Sequence, residues 1–353
     1  MATNASGYFK TRYTFELGFL ETPFRRFWVV AGVCIALAFP FVAPTFWVGI
    51  FNLAAIAAIG ALALNLLTGY TGQLSLGHAG FLAAGAFTAG ILVGQWGAPF
   101  WIVLPASIVV GMVLGVIVGV PALRLRGIYL SISTLAAFFV LASLATEYQS
   151  RFGKGSGIVI SPPKIGDWVL SGERNWYFVL LVLAGLATLL CLNLNRSHIG
   201  RAWLAIRERD LAASALGIDV AYYKVMAFVI STAMTTFAGA LSAYYTAFVS
   251  AEAFTFMVTI EFLAMILVGG LGSVLGSLLG AVFVTMLPFL VERAVDVLPF
   301  PATFKTHLFA VQIGLFAILM LAFLMFEPNG LARIWGRIRA YFELWPFKYR
   351  PLQ

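Results

Sequence analysis

The sequence predicts an all-α polytopic integral membrane protein of about 8–10 transmembrane helices, with glycine-rich broken segments and both termini cytoplasmic. Three observations predict it. Of 353 residues, 61% are hydrophobic and 10% charged, against roughly 45–50% and about 25% in a soluble domain, which excludes a soluble globule. Apolar runs near the ~20 residues that span a hydrocarbon core follow one another almost without ionisable groups. Basic residues are distributed unevenly between the connections. A closed barrel, the other way to satisfy every backbone group in lipid, needs alternating strands of about ten residues, and these uninterrupted runs are not that.

The runs fall at Phe27–Ala43, Phe46–Leu67, Gly77–Val93, Phe100–Val120, Ile128–Ala145, Trp176–Leu194, Val225–Val249, Met257–Val268, Leu275–Val291 and His307–Phe326. The run Met257–Val268 is too short for a straight span, so it either continues through the following glycines or enters and turns back. In the first run Ala36-Leu37-Ala38 has a small-x-small form, but the apolar stretch continues past it without a polar cleavage region, so it reads as a retained span. Counting Lys and Arg along the connections places Lys10, Arg12, Arg25, Arg26, Arg124, Arg126, Arg196, Arg201, Arg207, Arg209, Lys224, Arg333, Arg337, Arg339, Lys348 and Arg350 on one side. Arg151, Lys154, Lys164, Arg174, Arg293 and Lys305 fall on the other. The richer side is cytoplasmic by the positive-inside tendency, and an even number of crossings follows. The same asymmetry accounts for the net charge of +8 without nucleic-acid binding. Cys34 and Cys191 lie within apolar runs, so no disulfide framework is indicated. The organisation is a cytoplasmic tail at 1–26, a transmembrane domain at 27–327 and a second cytoplasmic tail at 328–353.

Two connections are more than turns. The outer one, 147–175, carries Gly153, Gly155, Gly157, Pro162 and Pro163 and reads as irregular backbone, either an exposed loop or a docking surface for an extracytoplasmic partner. Its Gly153-Lys154-Gly155-Ser156 lacks the order and context of a phosphate loop, and no nucleotide site is visible elsewhere. The cytoplasmic one, 196–224, has Trp203, Ile206, Asp210 and Leu211 at three- and four-residue intervals, then Ala212, Ala213 and Ala215, with Gly217 as a stop. It predicts one short amphipathic helix, lying on the membrane surface or inserting its apolar ridge into a soluble partner.

Two glycine clusters, Thr68–Gly80 and Gly269–Gly280, follow the second and eighth runs. They serve tight packing and turns, or break helices along a path or hinge. Gly69, Gly72, Gln73, Ser75, Gly77, His78, Gly269, Gly270 and Gly272 are the candidates, and Gly272, Gly276 and Gly280 have the spacing of a packing face. Glu261 is the carboxylate placed within an apolar run, where such a group faces protein or water. His78 reads as a packed histidine, since no His or Cys stands at ligand spacing from it. No catalytic residue is expected. The chain has no Gly-x-Ser-x-Gly elbow, no His-Glu-x-x-His and no pair of intramembrane carboxylates, and a solitary ion-coupled transporter would want several buried charges.

Four blocks then carry a resemblance: Leu64-Asn65-Leu66-Leu67-Thr68-Gly69-Tyr70-Thr71-Gly72-Gln73-Leu74-Ser75-Leu76-Gly77-His78-Ala79-Gly80-Phe81; Leu125-Arg126-Gly127-Ile128-Tyr129-Leu130; Ala212-Ala213-Ser214-Ala215-Leu216-Gly217-Ile218; and Glu261 with Val268-Gly269-Gly270-Leu271-Gly272-Ser273. In this order, from about Phe46 to Asn329, the chain resembles the permease subunits of Liv-type branched-chain amino-acid ABC importers. The resemblance implies an importer of the bacterial inner membrane. Such an importer has a second homologous permease subunit, two cytoplasmic ATPases that carry ATP and Mg, and a periplasmic solute-binding protein. It implies no cofactor or metal on this chain. It also implies that Arg207, Glu208, Asp210, Leu211, Ala212, Ala213 and Gly217 belong to the loop that couples to an ATPase. Leu211 stands where that loop's acidic residue belongs, and Phe139 where many relatives carry Glu. That leaves urea, short amides and aromatic acids open as substrates beside branched-chain amino acids.

Overall fold

The computed structural model describes residues 23–123, 127–152, 157–165, 168–297 and 330–344, with isolated positions between 314 and 325. Most of the run His307–Phe326 lies outside the described residues. So do Gly153 to Ser156 and, among the basic residues that set the orientation, Lys10, Arg12, Arg124, Arg126, Lys154, Lys305, Lys348 and Arg350.

The helices are α1 (Pro23–Val42), α2 (Thr45–Asn65), α3 (His78–Trp96), α4 (Phe100–Ala122), α5 (Ile128–Phe152), α6 (Glu173–Arg196), α7 (His198–Glu208), α8 (Asp210–Ala215), α9 (Val220–Thr246), α10 (Phe256–Gly269), α11 (Val274–Val297) and α12 (Gly330–Leu344). Among the described residues, eight stretches from Thr45–Tyr70 to Val274–Arg293 are long and apolar enough to cross a membrane, and Phe27–Val42 is a shorter apolar helix. The protein is therefore an all-α, multi-pass membrane protein.

α2 and α9 form the centre of the bundle, and small residues set how closely the helices approach α9. A Cβ on Gly85 of α3 would overlap the Thr236 carbonyl of α9, and one on Gly239 would overlap the Leu82 carbonyl. Gly111 and Gly115 of α4 meet the same helix, where Thr232 donates to the Gly111 carbonyl at 2.9 Å and Thr236 to the Ser107 carbonyl at 2.8 Å. Where lipid gives helices no hydrophobic reason to associate, such close backbone contacts and interhelical hydrogen bonds hold them together.

The connection 147–175 is more ordered than the sequence predicts. α5 runs on to Phe152 and α6 starts at Glu173. Between them β1 (Ile158–Val159) pairs antiparallel with β4 (Phe248–Val249), while β2 (Lys164–Ile165) pairs with β3 (Trp168–Val169). Ile160 and Leu170 are buried, and Ile160 N–H reaches the Ala247 carbonyl at 2.9 Å. The segment is a packed cap on the end of α3 and α9, because two apolar anchors and a short ladder satisfy backbone that glycine and proline keep from becoming helix.

Gly85→Val is expected to lower the thermal midpoint and folded yield of the detergent-solubilised protein, with an overpacking cost of about 1–3 kcal/mol. Gly185→Val, where nothing lies within 4 Å of the added Cβ, is expected to leave both unchanged.

Candidate functional site

The last turn of α2 widens into a π-helical turn at Leu66–Tyr70, closed by Thr71 in helical conformation, and residues 72–77 are then non-helical until α3 begins. This stretch doubles back along α2. His78 Nε2 lies 3.4 Å from where a Gly60 Cβ would stand, and Gly60 precedes Tyr70 by ten residues, about 15 Å of helix. Thr71, Gln73 and Ser75 are buried and Gly72 and Leu74 exposed, the alternation of an extended chain.

Non-helical backbone at this depth must find partners within the protein, and neighbouring helices supply them. Thr134 of α5 accepts from Leu76 N–H at 2.9 Å, and Ser131 donates to the Leu74 carbonyl at 3.1 Å. Thr259 of α10 accepts from Ala79 N–H at 3.0 Å. Gln73 donates to Thr71 Oγ1 at 3.0 Å and to the Lys224 carbonyl of α9 at 3.4 Å. Gly77 has no room for a Cβ beside the Thr134 carbonyl, and Gly72 turns the chain with φ +71°. His78 is buried against Phe262, ring centroids 4.6 Å apart, with Thr235 Oγ1 3.5 Å from Nδ1.

The second glycine cluster meets the first. Gly269 ends α10, and Gly270 (φ +118°) and Gly272 (φ +77°) turn the chain into α11. Asn65 clasps that turn. Its Oδ1 accepts from Gly272 N–H at 2.8 Å and its Nδ2 donates to the Ser273 carbonyl at 3.0 Å. Of the predicted packing stripe, Gly276 and Gly280 do lie against the α10 backbone at Gly269 and Met265, but Gly272 does not. Its positive φ places it in the turn, and Gly269 from α10 completes the contact instead.

The connection 196–224 holds two helices rather than one. Ser197 caps α7, accepting from Ile199 N–H at 3.1 Å. Arg209 is extended (φ −158°, ψ 112°), and α8 starts at Asp210. The helix breaks here because Asp210 ion-pairs with Lys224 at the start of α9, redirecting the chain. Trp203 and Ile206 are buried, with Trp203 Nε1 donating to the Tyr223 carbonyl at 2.9 Å. The apolar ridge therefore packs on the protein's own helices and is not open to a partner. Arg207 donates to the Gly69 carbonyl and sits beside Gly272, so α7 is tied to both clusters. Of the remaining coupling candidates, Ala213 is buried, Glu208, Leu211, Ala212 and Gly217 are exposed, and Leu216 joins them at 80% exposure. Gly217 (φ +83°) ends α8 with Ile218 N–H on the Ala213 carbonyl at 3.1 Å, a Schellman turn.

At the opposite end of the bundle a cavity of about 640 Å³ opens beside α10, lined by Leu53, Ser250, Phe254, Glu261 and Thr285 among others. α10 is 14 residues long and is entered through the irregular 247–255 stretch, so its shortness makes the room. Phe139 lies outside this lining, on the exposed face of α5. Two polar clamps were not singled out from sequence. Glu173, in the first turn of α6, accepts from Tyr245 OH at 2.7 Å and from Asn52 Nδ2 at 2.9 Å. Gln149 donates to Glu252 at 3.0 Å and accepts from Ala251 N–H at 2.6 Å, fixing the cavity's rim.

Interrupted spans around a cavity within an all-α bundle are the build of a multi-pass membrane transport component. The chain belongs to the family described as branched-chain amino acid transport system / permease component, whose model matches residues 46–326. It is similar to the high-affinity branched-chain amino acid transport system permease proteins LivM of Salmonella typhimurium and Escherichia coli, each 34% identical over 286 residues, 74% of this chain and 67% of the relative. It is also 25% identical over 301 residues to a probable branched-chain amino acid transport permease protein LivH of Methanocaldococcus jannaschii, 82% of this chain and 91% of the relative. No solved structure matches it.

Asn65→Leu leaves the Gly272 amide without its partner, while the Ser273 carbonyl keeps the Ser277 amide at 3.0 Å. A buried unpaired group costs about 1–3 kcal/mol. The expected result is a lower thermal midpoint and faster amide exchange at 270–274, while Gly185→Val leaves exchange there unchanged.

Proposed function

We propose that the chain is one of two permease subunits of an ATP-driven importer in the bacterial inner membrane. The α8 end faces the cytoplasm, where two ATPase subunits holding ATP and Mg engage α8. A periplasmic solute-binding protein delivers branched-chain or related amino acids to the cavity end. Directionality must come from those partners, because no nucleotide motif is visible in this sequence.

The observation that carries this reading is the division of labour between α7 and α8. Leu211, Ala212, Leu216 and Gly217 of α8 and its terminal turn are exposed, a small apolar surface rimmed by Glu208 and Arg209. α7 is held to the glycine junction by Trp203, Ile206 and Arg207. A partner that engages α8 differently in two conformations supplies the coupling free energy, and α7 delivers the displacement to the turn between α10 and α11 and to the 72–77 stretch. Both adjoin α10, which lines the cavity. Phe139 lies outside the cavity lining, which supports amino-acid substrates despite the departure at that residue.

Leu211→Asp with Leu216→Asp is expected to reduce co-purification of the ATPase subunits at least tenfold. Arg207→Gln is expected to retain them but lower uptake at least tenfold, because the handle is gripped and no longer joined to the junction. Uptake that persists without the ATPases contradicts the proposal.

A further inference from the structure

The cavity has a chemistry that transport alone does not require. Its volume of about 640 Å³ falls in the range of about 300–1,000 Å³ of small-molecule sites. Most of its wall is apolar, with Leu53, Ile56, Val258, Met265, Val284 and Leu287 contributing from three helices. Two polar groups in it stand without partners. The Glu261 carboxylate makes no hydrogen bond or ion pair among the described residues, and no Lys, Arg or His lines the cavity with it. Thr285 Oγ1 is buried and likewise has no hydrogen-bond partner.

A carboxylate in apolar surroundings is costly to hold charged, and a bound counter-charge offsets that cost. One carboxylate and one hydroxyl are too few oxygens for a calcium or magnesium site, which takes six or more, whereas an ammonium group needs one strong acceptor and supplies the donors itself. We propose that the cavity binds the primary ammonium group of an aliphatic amine or amino acid, with Glu261 as its counter-charge and the aliphatic wall holding the hydrocarbon body. This rests on the proposed transport role and names what the pathway selects: a cationic amine with a compact apolar side chain, over urea, amides and acids lacking an amine. Glu261 and Met265, one turn apart on α10, present the charge and the apolar surface side by side. Gln149, through the Ala251 amide and Glu252, steadies the 250–254 rim that closes the cavity from above.

The test uses the permease pair, co-expressed with its ATPase subunits, in lipid nanodiscs without binding protein. It compares the affinities of 3-methylbutylamine and its uncharged isostere 3-methylbutan-1-ol, with sodium titrated alone as a third arm. The wild-type complex is expected to prefer the amine at least tenfold. Glu261→Gln brings the ratio close to one by weakening the amine alone, and Glu261→Asp recovers part of the preference. A wild type without preference, a ratio unchanged by Glu261→Gln, or a Glu261-dependent response to sodium matching that to the amine overturns the proposal. Whether ATPase subunits remain on the complex is read separately and bears on the importer reading, not on the site.

Discussion

Backbone amides and carbonyls have no water to turn to inside a bilayer, and residues 72–77 place a stretch of non-helical backbone there. The arrangement of the bundle follows from supplying that stretch. Ser131 and Thr134 must stand on α5, Thr259 on α10 and the Lys224 carbonyl at the start of α9, each within hydrogen-bonding distance. Three helices distant in sequence are thereby gathered on α2. Close approach is possible because Gly77 and Gly80 lack side chains where α5 passes. A span broken at this depth stays ordered only while all these partners are present, so a shift of any one is felt by the others.

The glycine junction extends the same logic to the α8 end. Asn65, buried at the end of α2, reads the turn between α10 and α11 through two hydrogen bonds, and Arg207 reaches the Gly69 carbonyl from α7. Two clusters some two hundred residues apart become one contact. The transport reading requires a rigid connection from an exposed handle to the segments that border the cavity, and this connection consists of short, specific polar contacts between backbones that only glycine allows to meet.

Much of this was legible in the sequence. Hydropathy located the spans because lipid imposes a composition no soluble core needs, and glycine density marked where helices break. What pairwise spacing cannot convey is which distant backbone a break will meet. Asn65 lies within the Leu64–Phe81 block, yet its role depends on Gly272 and Ser273 being adjacent in space. The intervals of Trp203 and Ile206 correctly gave a helix, but carrying the period through to Leu211 missed the break at Arg209, which a tertiary ion pair between Asp210 and Lys224 enforces. The ridge was read as a surface because its own bundle was not in view. Glu173 escaped notice at the edge of a run, where a carboxylate looks like ordinary interfacial polarity, although it accepts hydrogen bonds from both α2 and α9.

The central claim is that α7 and the glycine junction move as one body when α8 is displaced. A Cβ at Gly72 would lie 3.9 Å from Arg207 Cβ, within the separation of a disulfide. The most direct measurement is therefore uptake by the assembled importer carrying Gly72→Cys and Arg207→Cys, with Cys34 and Cys191 replaced by alanine. The reduced protein, its arginine link gone, should transport poorly, and oxidation should restore transport by rejoining the two parts covalently. Full activity in the reduced state, or loss of transport on oxidation, would contradict the account.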